Sequence, residues 1–167
     1  KLYCVLIYNY MCGILAIYNK DKHLNNNIRS MSLDVIKKVR HRGPDWSGIY
    51  TSQNAILAHE RLAIVDIKSG GQPILSSDKN LILAVNGEIY NHLSIRNDKS
   101  IKYDYQTNSD CEVILSLYKN KSIDFLNDIN GIFSFIIYDK NNNSILVARD
   151  PIGVIPLYMG SDKNGNL

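Results

Sequence analysis

Cys12 is the residue of this sequence with the clearest capacity for covalent chemistry. It follows Met11 in the stretch NYMCGILAIY. Removal of that methionine, which a side chain as small as cysteine permits, would leave Cys12 with a free α-amine beside its thiol. Such an amine titrates at about 7.7–8.0, close enough to neutral pH for a general base. Cys12 would then be a nucleophile that carries its own base. The alternative is a buried strand cysteine without a chemical role, an interpretation that also fits Cys4 and Cys111.

The three cysteines and four histidines of the chain do not predict a metal site. The sequence has no C-x-x-C pair, and its histidines are scattered without the spacing of metal ligands. An odd number of separated cysteines is typical of reduced thiols, so we expect a cytoplasmic protein.

Composition excludes several classes of protein. The chain has 167 residues, of which 45% are hydrophobic, enough for one globular domain with a buried core. The net charge of +3 comes from scattered lysines and not from a basic block. We therefore expect no nucleic-acid partner. No apolar segment is long enough to span a membrane, so we expect no membrane association.

The elements that must position Cys12 can be predicted from periodicity. Helical spacing of apolar residues covers 28–40, and a second helix begins at Ser109 and Asp110, which resemble an N-cap. Short apolar runs bounded by turn-forming residues predict five strands, at 12–18, 54–59, 81–86, 131–138 and 144–149. Asn86 and Gly87 close the third run, where an Asn-Gly pair usually makes a hairpin turn. Strands that come in consecutive pairs favour an α+β fold over a doubly wound parallel sheet.

Residues 1–11 form an upstream segment in this interpretation, and residues 12–167 form one domain that we expect to be incomplete at its C-terminal end. The segment KLYCVLIYNY has an apolar patch like that of a secretory leader, but the patch is short and has no cleavage site of small residues. We therefore favour an upstream extension over a targeting leader. The working protein is expected to begin at Cys12, either because translation starts at Met11 and the methionine is removed or because a leader is cleaved there.

Six strings occur together in the sequence: MCGILAIY, RHRGPDWSG, AHERLAIVD, VNGEIYNH, SDCEVI and ARDPIGVIPLY. In this order and spacing they resemble the glutaminase domain of glutamine-hydrolysing asparagine synthetases, a class II glutamine amidotransferase. The resemblance runs from Met11 nearly to the last residue. It implies the N-terminal-nucleophile hydrolase fold, a four-layer αββα sandwich of two mainly antiparallel sheets.

The resemblance also implies roles for individual residues. Cys12 is the nucleophile, and the Asn86 amide and the Gly87 N–H form the oxyanion hole. Arg61 holds the α-carboxylate of glutamine, and Asp110 and Glu88 hold its ammonium group. The implied substrate-binding set is Arg61, Leu62, Ala63, Ile64, Val65, Glu88 and Asp110. Taken without the resemblance, the alternatives are a surface salt bridge for Arg61, a helix cap for Asp110 and a solvated strand end for Glu88.

Two further motifs have structural interpretations. The residues Arg42-Gly43-Pro44-Asp45-Trp46 predict a tight turn with a buried aromatic ring behind it. Arg149 and Asp150 predict an ion pair at the edge of the domain. Both are expected to serve as scaffold.

The implied activity is hydrolysis of glutamine to glutamate and ammonia through a Cys12 thioester. In the resembled family, ammonia passes through an internal tunnel to a following synthetase domain that converts aspartate to asparagine with ATP. The S-G-G-x-D type phosphate loop of such a domain does not occur here, so we expect no cofactor in this domain, and ATP with Mg²⁺ in the synthetase domain. L-glutamine, that synthetase domain and a second copy in a homodimer are the expected partners. A class II amidotransferase serving another acceptor, or a non-catalytic glutamine-binding domain of the same fold, are the alternatives.

Overall fold

A computed structural model of the chain describes residues 11–63, 70–121, 123–163 and 165–167. Its strands are β1 (Gly13–Tyr18), β2 (Trp46–Thr51), β3 (Ala55–Arg61), β4 (Ile74–Leu75), β5 (Leu81–Ile89), β6 (Gly131–Asp139) and β7 (Ser144–Arg149). Its α-helices are α1 (Asn26–Lys37), α2 (His92–Asn97) and α3 (Val113–Asn120), and short 3₁₀ turns cover Arg40–Arg42, Asp110–Glu112 and Ile123–Asp128. The five predicted strands and both predicted helices are confirmed.

The strands form two antiparallel sheets. Sheet A has the order β1-β3-β2, and sheet B has the order β4-β5-β6-β7. Every pairing among the described residues is antiparallel. The predicted α+β class is therefore confirmed.

The two sheets share a core built from alternate residues of their strands. Side chains of a strand alternate between its two faces, so one residue in two points toward the opposite sheet. The inter-sheet cluster consists of Tyr18, Ala55, Leu57, Ile82, Ala84, Ile136 and Tyr138, with Ile14 and Ala16 against it. The same alternation, continued along each strand, places further residues on this inter-sheet face. They are Cys12 before β1, His59 and Arg61 in β3, and Asn86 in β5. One end of this apolar core is therefore polar.

Helices cover the outer faces of the sheets. α1 lies against β3 and β1, with Ile28, Ser32 and Ile36 buried at the four-residue spacing of one helix face. The Asn25 side chain caps this helix by accepting hydrogen bonds from the first backbone N–H groups. α3 packs on sheet B, where its Val113, Ile114 and Leu117 join the odd-numbered residues of β5 and β6.

The Asn86-Gly87 pair does not form the predicted hairpin turn. β5 continues through it to Ile89, and Gly87 lies opposite Phe133 of β6. Gly87 has a φ of 155°, and a side chain there would overlap the carbonyl oxygen of Ile132. Only glycine fits this close approach of two strands, so the pair serves strand geometry and not chain reversal.

Two scaffold predictions were wrong in detail. The Trp46 side chain is 57% exposed and opens β2, whereas a buried ring was expected. Asp150 forms no ion pair with Arg149. Its carboxylate instead accepts hydrogen bonds from the backbone N–H groups of Gly153, Val154 and Ile155. These N–H donors hold the pKa of the Asp150 carboxyl below its usual value, although burial acts in the opposite direction.

Candidate functional site

Cys12 lies at the polar end of the inter-sheet core, directly before β1. The backbone N–H of Leu62 donates to its Sγ at 3.3 Å. Burial raises the pKa of the Cys12 thiol, and the Leu62 N–H and the charge of Arg61 oppose this only in part. The thiol is therefore protonated at neutral pH, and nucleophilic attack requires a neighbouring base.

Asn86 and Gly87 face Cys12 from sheet B. The side chain of Asn86 follows Ile82 and Ala84 on the inter-sheet face, and Asn86 is 6% exposed. It borders a cavity together with Cys12 and Gly87. An amide N–H₂ group at this position is suited to donate to an oxygen that gains negative charge beside the thiol.

The backbone N–H of Gly87 points to the edge of β5 that faces away from β6. Phe133 lies opposite Gly87, and both of its backbone polar groups bond to Asp150 on the far side of β6. Its C=O accepts from the Asp150 N–H, and its N–H donates to the Asp150 carboxylate. The two residues therefore form a non-hydrogen-bonded pair, which turns the polar backbone groups of Gly87 away from β6. On the same edge, the N–H of Val85 donates to Gln72 Oε1 at 2.8 Å, and that of Ile89 donates to Asp110 Oδ2 at 2.8 Å. The Gly87 N–H lies between these two.

A cavity of about 250 Å³ brings most of the predicted site residues together. Its lining includes Cys12, Arg61, Leu62, Asn86, Gly87, Glu88 and Asp110. Ala63 does not line it; the N–H of Ala63 donates to Asp45 Oδ2 at 2.8 Å. Ile64 and Val65 lie outside the described residues.

The charges around this cavity match the two ends of a free amino acid. Arg61 ends β3 and is 7% exposed, and the buried Asp110 follows the cap residue Ser109. Ser109 Oγ accepts the helix-terminal N–H of Cys111, so the carboxylate of Asp110 is not the cap; it faces β5. Glu88 lines the cavity from β5 as an exposed side chain. One cation and two anions can thus contact an α-carboxylate and an α-ammonium group.

Comparison of the sequence with protein families agrees with this arrangement. The family described as "Glutamine amidotransferase domain" matches residues 11–167. The chain belongs to this family.

Relatives of this amidotransferase domain share its sequence closely. It is 50% identical over 157 residues to asparagine synthetase B [glutamine-hydrolyzing] of Escherichia coli (strain K12). The aligned region covers 94% of the chain and 28% of the relative. It is 50% identical over 159 residues to a probable asparagine synthetase [glutamine-hydrolyzing] of Dictyostelium discoideum, with coverages of 94% and 28%. For asparagine synthetase [glutamine-hydrolyzing] 1 of Arabidopsis thaliana, the identity is 46% over 159 residues, with coverages of 94% and 26%. The chain spans about a quarter of the length of these relatives and is homologous to their glutaminase part.

Two residues that sequence reasoning did not assign to the site support it. Gln72 lines the cavity, and its side chain accepts the N–H of Val85. Asp45 accepts the N–H of Ala63, and its own N–H donates to the carbonyl of Arg61 at 3.0 Å. The RGPDW turn therefore braces the segment that carries Arg61. Asp45 could have been found from that motif, whereas no sequence signal indicates Gln72.

His59 lies within the same region and is fully buried. Its Nε2 is 2.9 Å from the carbonyl oxygen of Val85, and its Nδ1 has no hydrogen-bond partner among the described residues. Burial lowers the pKa of His59 to about 4, the Val85 hydrogen bond opposes this shift, and the charge of Arg61 adds to it. His59 is therefore neutral at physiological pH, with the hydrogen on Nε2.

We expect His59 to make stability depend on pH. In the unfolded chain its pKa returns to about 6.5, so below that pH the unfolded state binds a proton that the folded state does not. The free energy of unfolding should fall by about 2 kcal/mol between pH 7 and pH 5 from this group alone. Urea unfolding at several pH values would measure it, with His59→Gln as the control that lacks a titrating ring. An equal pH dependence in both proteins would contradict this assignment.

A second cavity of about 430 Å³ shares Cys12 and Asn86 with the first. Its walls are mainly apolar and come from the inter-sheet core and the chain after β7, with Ile14, Ala16, Ile136, Val147 and Leu157 among them. Cys12 thus borders two cavities, one that includes the charged side chains of Arg61, Glu88 and Asp110 and one with mainly apolar walls.

The described residues contain no group of three or more His, Cys, Asp or Glu side chains arranged to hold a metal ion. In the same part of the chain, none of the helices has the length and hydropathy of a membrane span.

Proposed function

We propose that this amidotransferase domain hydrolyses L-glutamine to L-glutamate and ammonia through a thioester on Cys12. The observation that carries the proposal is the single cavity bordered by Cys12, Asn86, Gly87, Arg61 and Asp110. Its charged groups fit the α-carboxylate and α-ammonium of an amino acid. Its thiol and amide donors fit attack on the side-chain carboxamide of that amino acid.

The first half of the reaction forms the thioester. The α-amine of a processed Cys12 takes the thiol proton, and the sulfur attacks the carboxamide carbon. The carbonyl electrons move to oxygen, where the Asn86 amide and the Gly87 N–H donate hydrogen bonds to the oxyanion. When the oxyanion collapses, the C–N bond breaks. The nitrogen leaves as ammonia after it receives the proton held by the α-ammonium group.

The second half releases glutamate. The α-amine removes a proton from water, and the resulting hydroxide attacks the thioester carbon. The oxyanion forms again beside Asn86 and Gly87 and collapses with cleavage of the C–S bond. The sulfur recovers a proton from the α-ammonium group, and the free thiol and amine are restored.

The test of this proposal is glutaminase activity of the polypeptide expressed from Met11. Incubation with amide-labelled glutamine should release labelled ammonia and glutamate in equal amounts, while asparagine, one methylene shorter, should be a poor substrate. Intact mass should show that the methionine is absent. Binding of glutamine without ammonia release from such a processed protein would support a non-catalytic glutamine-binding domain instead.

Arg61→Lys should raise the KM for glutamine. Lysine keeps the positive charge but loses the bidentate fork that matches a carboxylate. A charge-assisted hydrogen bond of about 1.5–3 kcal/mol corresponds to roughly a 10- to 100-fold rise in KM. Steady-state kinetics would measure it, with Arg40→Lys, an exposed arginine outside the cavity, as the matched control. Unchanged KM values in Arg61→Lys and Asp110→Asn would return these residues to structural roles.

We propose further that the domain has the N-terminal-nucleophile hydrolase fold, with layers in the order αββα. The packing of α1 on sheet A, of the two sheets on each other and of α3 on sheet B supports this order.

We also propose a cytoplasmic location. The two cysteines in the described residues are free, in agreement with this proposal.

In the whole protein, ammonia would supply an ATP- and Mg²⁺-dependent synthetase domain that converts aspartate to asparagine. The names of the relatives, glutamine-hydrolysing asparagine synthetases, support the asparagine-forming part of this proposal. The apolar cavity beyond Cys12 is suited to carry neutral ammonia away from water and protons. A homodimer remains part of the proposal, and sedimentation of the purified protein would test it.

A further inference from the structure

The nucleophile and the oxyanion donors of this site belong to different sheets. Cys12 precedes β1 of sheet A, whereas Asn86 and Gly87 lie in β5 of sheet B. Covalent attack needs reacting atoms about 3–3.5 Å apart, and a displacement of about 1 Å can cost roughly 10²-fold in rate. Catalysis therefore depends on how the two sheets are held at this end of their shared core.

His59 connects the sheets at this level. It lies opposite Ile14 in the β1–β3 register, two residues from Cys12 along β1. Its Nε2–H donates to the carbonyl of Val85, the residue before Asn86, at 2.9 Å. The bond thus joins the strand beside the nucleophile to the strand of the oxyanion donors.

The need for this bond follows from the short length of β4. β4 pairs with β5 only at Leu83 and Ile82. Beyond that point none of the described residues forms a strand beside this edge of β5, and Val85 carries polar backbone groups that must be satisfied in a buried position. Gln72 accepts the Val85 N–H, and His59 donates to the Val85 C=O. These two side chains thus make the hydrogen bonds that a paired strand would make with Val85, the residue directly before Asn86.

We propose that His59 is a positioning residue for glutamine hydrolysis, holding the oxyanion donors of β5 at the correct distance from Cys12. The inference rests on the proposed function. His59 does not line the cavity proposed for glutamine, so its proposed effect on the reaction is exerted through its hydrogen bond to Val85.

The test compares His59→Leu with His59→Gln in the polypeptide expressed from Met11. Leucine removes the donor at similar size, whereas the amide N–H₂ of glutamine can occupy the Nε2 position. We expect His59→Leu to lower kcat by about 10²-fold with KM changed less than about threefold. His59→Gln should recover kcat to within about fivefold of the parent protein.

Tyr18→Phe is the matched control. It removes another hydrogen bond between the two halves of the core, from Tyr18 Oη to the carbonyl of Asn143 at 2.6 Å, at the opposite end of β1. It should leave kcat unchanged. A loss of kcat equal to that of His59→Leu would mean that general loosening of the core, and not positioning at the site, causes the effect.

Alkylation of Cys12 by iodoacetamide separates positioning from loss of structure. This displacement at a saturated carbon forms no oxyanion, so its rate should be the same in His59→Leu and the parent protein. A parallel fall of alkylation and hydrolysis would overturn the proposal, and so would full hydrolysis by His59→Leu.

If His59→Leu does not fold, His59→Asn replaces it, because the shorter asparagine amide cannot reach Val85. Equal activity of the Asn and Gln variants would then overturn the proposal. A parent protein without glutaminase activity would overturn the proposed function, and with it this inference. An active parent with an unaffected His59→Leu would overturn this inference alone.

Discussion

Replacement of Cys12 by alanine should abolish glutamine hydrolysis, with a loss of about 10⁴-fold or more, as for other covalent nucleophiles. The expectation follows from the position of Cys12, whose sulfur faces the cavity that also contains Asn86 and Gly87. No thioester can form without the sulfur. Ammonia release measured over several hours would establish the residual rate.

Cys111→Ala is the stringent control because Cys111 lines the same cavity. Its thiol donates weakly to the carbonyl of Gly87 and to Asp110 Oδ2, at 3.7 and 3.6 Å. Complete burial raises the pKa of Cys111 well above its usual value, and the negative charge of Asp110 adds to that effect. Cys111 is thus a poor nucleophile, and its alanine variant should keep most of the activity.

Covalent labelling would give independent evidence for the same assignment. A diazoketone analogue of glutamine should modify Cys12 alone, as peptide mapping would show. Equal loss of activity in Cys12→Ala and Cys111→Ala, or labelling of Cys111, would refute Cys12 as the nucleophile.

The sequence allowed much of the scaffold to be predicted because its signals are local. Apolar runs bounded by turn residues define the strands, and Ser109 marks the start of the helical segment that carries Asp110. These predictions need only the periodicity of one segment at a time.

The predictions that were wrong depend on contacts between distant segments. Asn86-Gly87 has the composition of a hairpin turn, but the approach of β6 requires glycine inside a continuous strand. Asp150 has a neighbouring arginine, yet its carboxylate accepts hydrogen bonds from backbone N–H groups of the following loop instead. Burial of Trp46 was inferred from its residue type, which does not determine which face of a strand is covered.

The candidate site was predicted mainly from resemblance, and the geometry adds residues that motifs could not supply. Gln72 lies in no recognised string, and its role depends on β4 ending after two residues, so that the edge of β5 needs other partners. His59 is part of AHERLAIVD, but its partner Val85 is 26 residues away. Such ties between segments follow from the three-dimensional fold and not from the local pattern.

The second prediction with a large expected effect concerns the base. A chain that keeps residues 1–11 has the nitrogen of Cys12 in an amide, which is not basic and cannot carry the thiol proton. Because burial raises the pKa of this thiol, little thiolate forms without a base. Met11 also lines the cavity that we propose for glutamine, so its removal would both free the amine and enlarge that cavity. The unprocessed chain should be slower by about 10²- to 10⁴-fold.

Two forms of the protein test this expectation, one expressed from Met11 and one carrying all ten upstream residues behind an added initiator methionine. Intact mass should show Cys12 as the first residue of the shorter form and an unchanged leader in the longer form. The kcat/KM of the shorter form should rise with pH through the α-amine pKa of about 7.7–8.0, because only the neutral amine accepts a proton. Cleavage of the longer form at an engineered protease site directly before Cys12 should restore its activity. Full activity in the longer form, with mass proving the leader intact, would show that another group serves as the base.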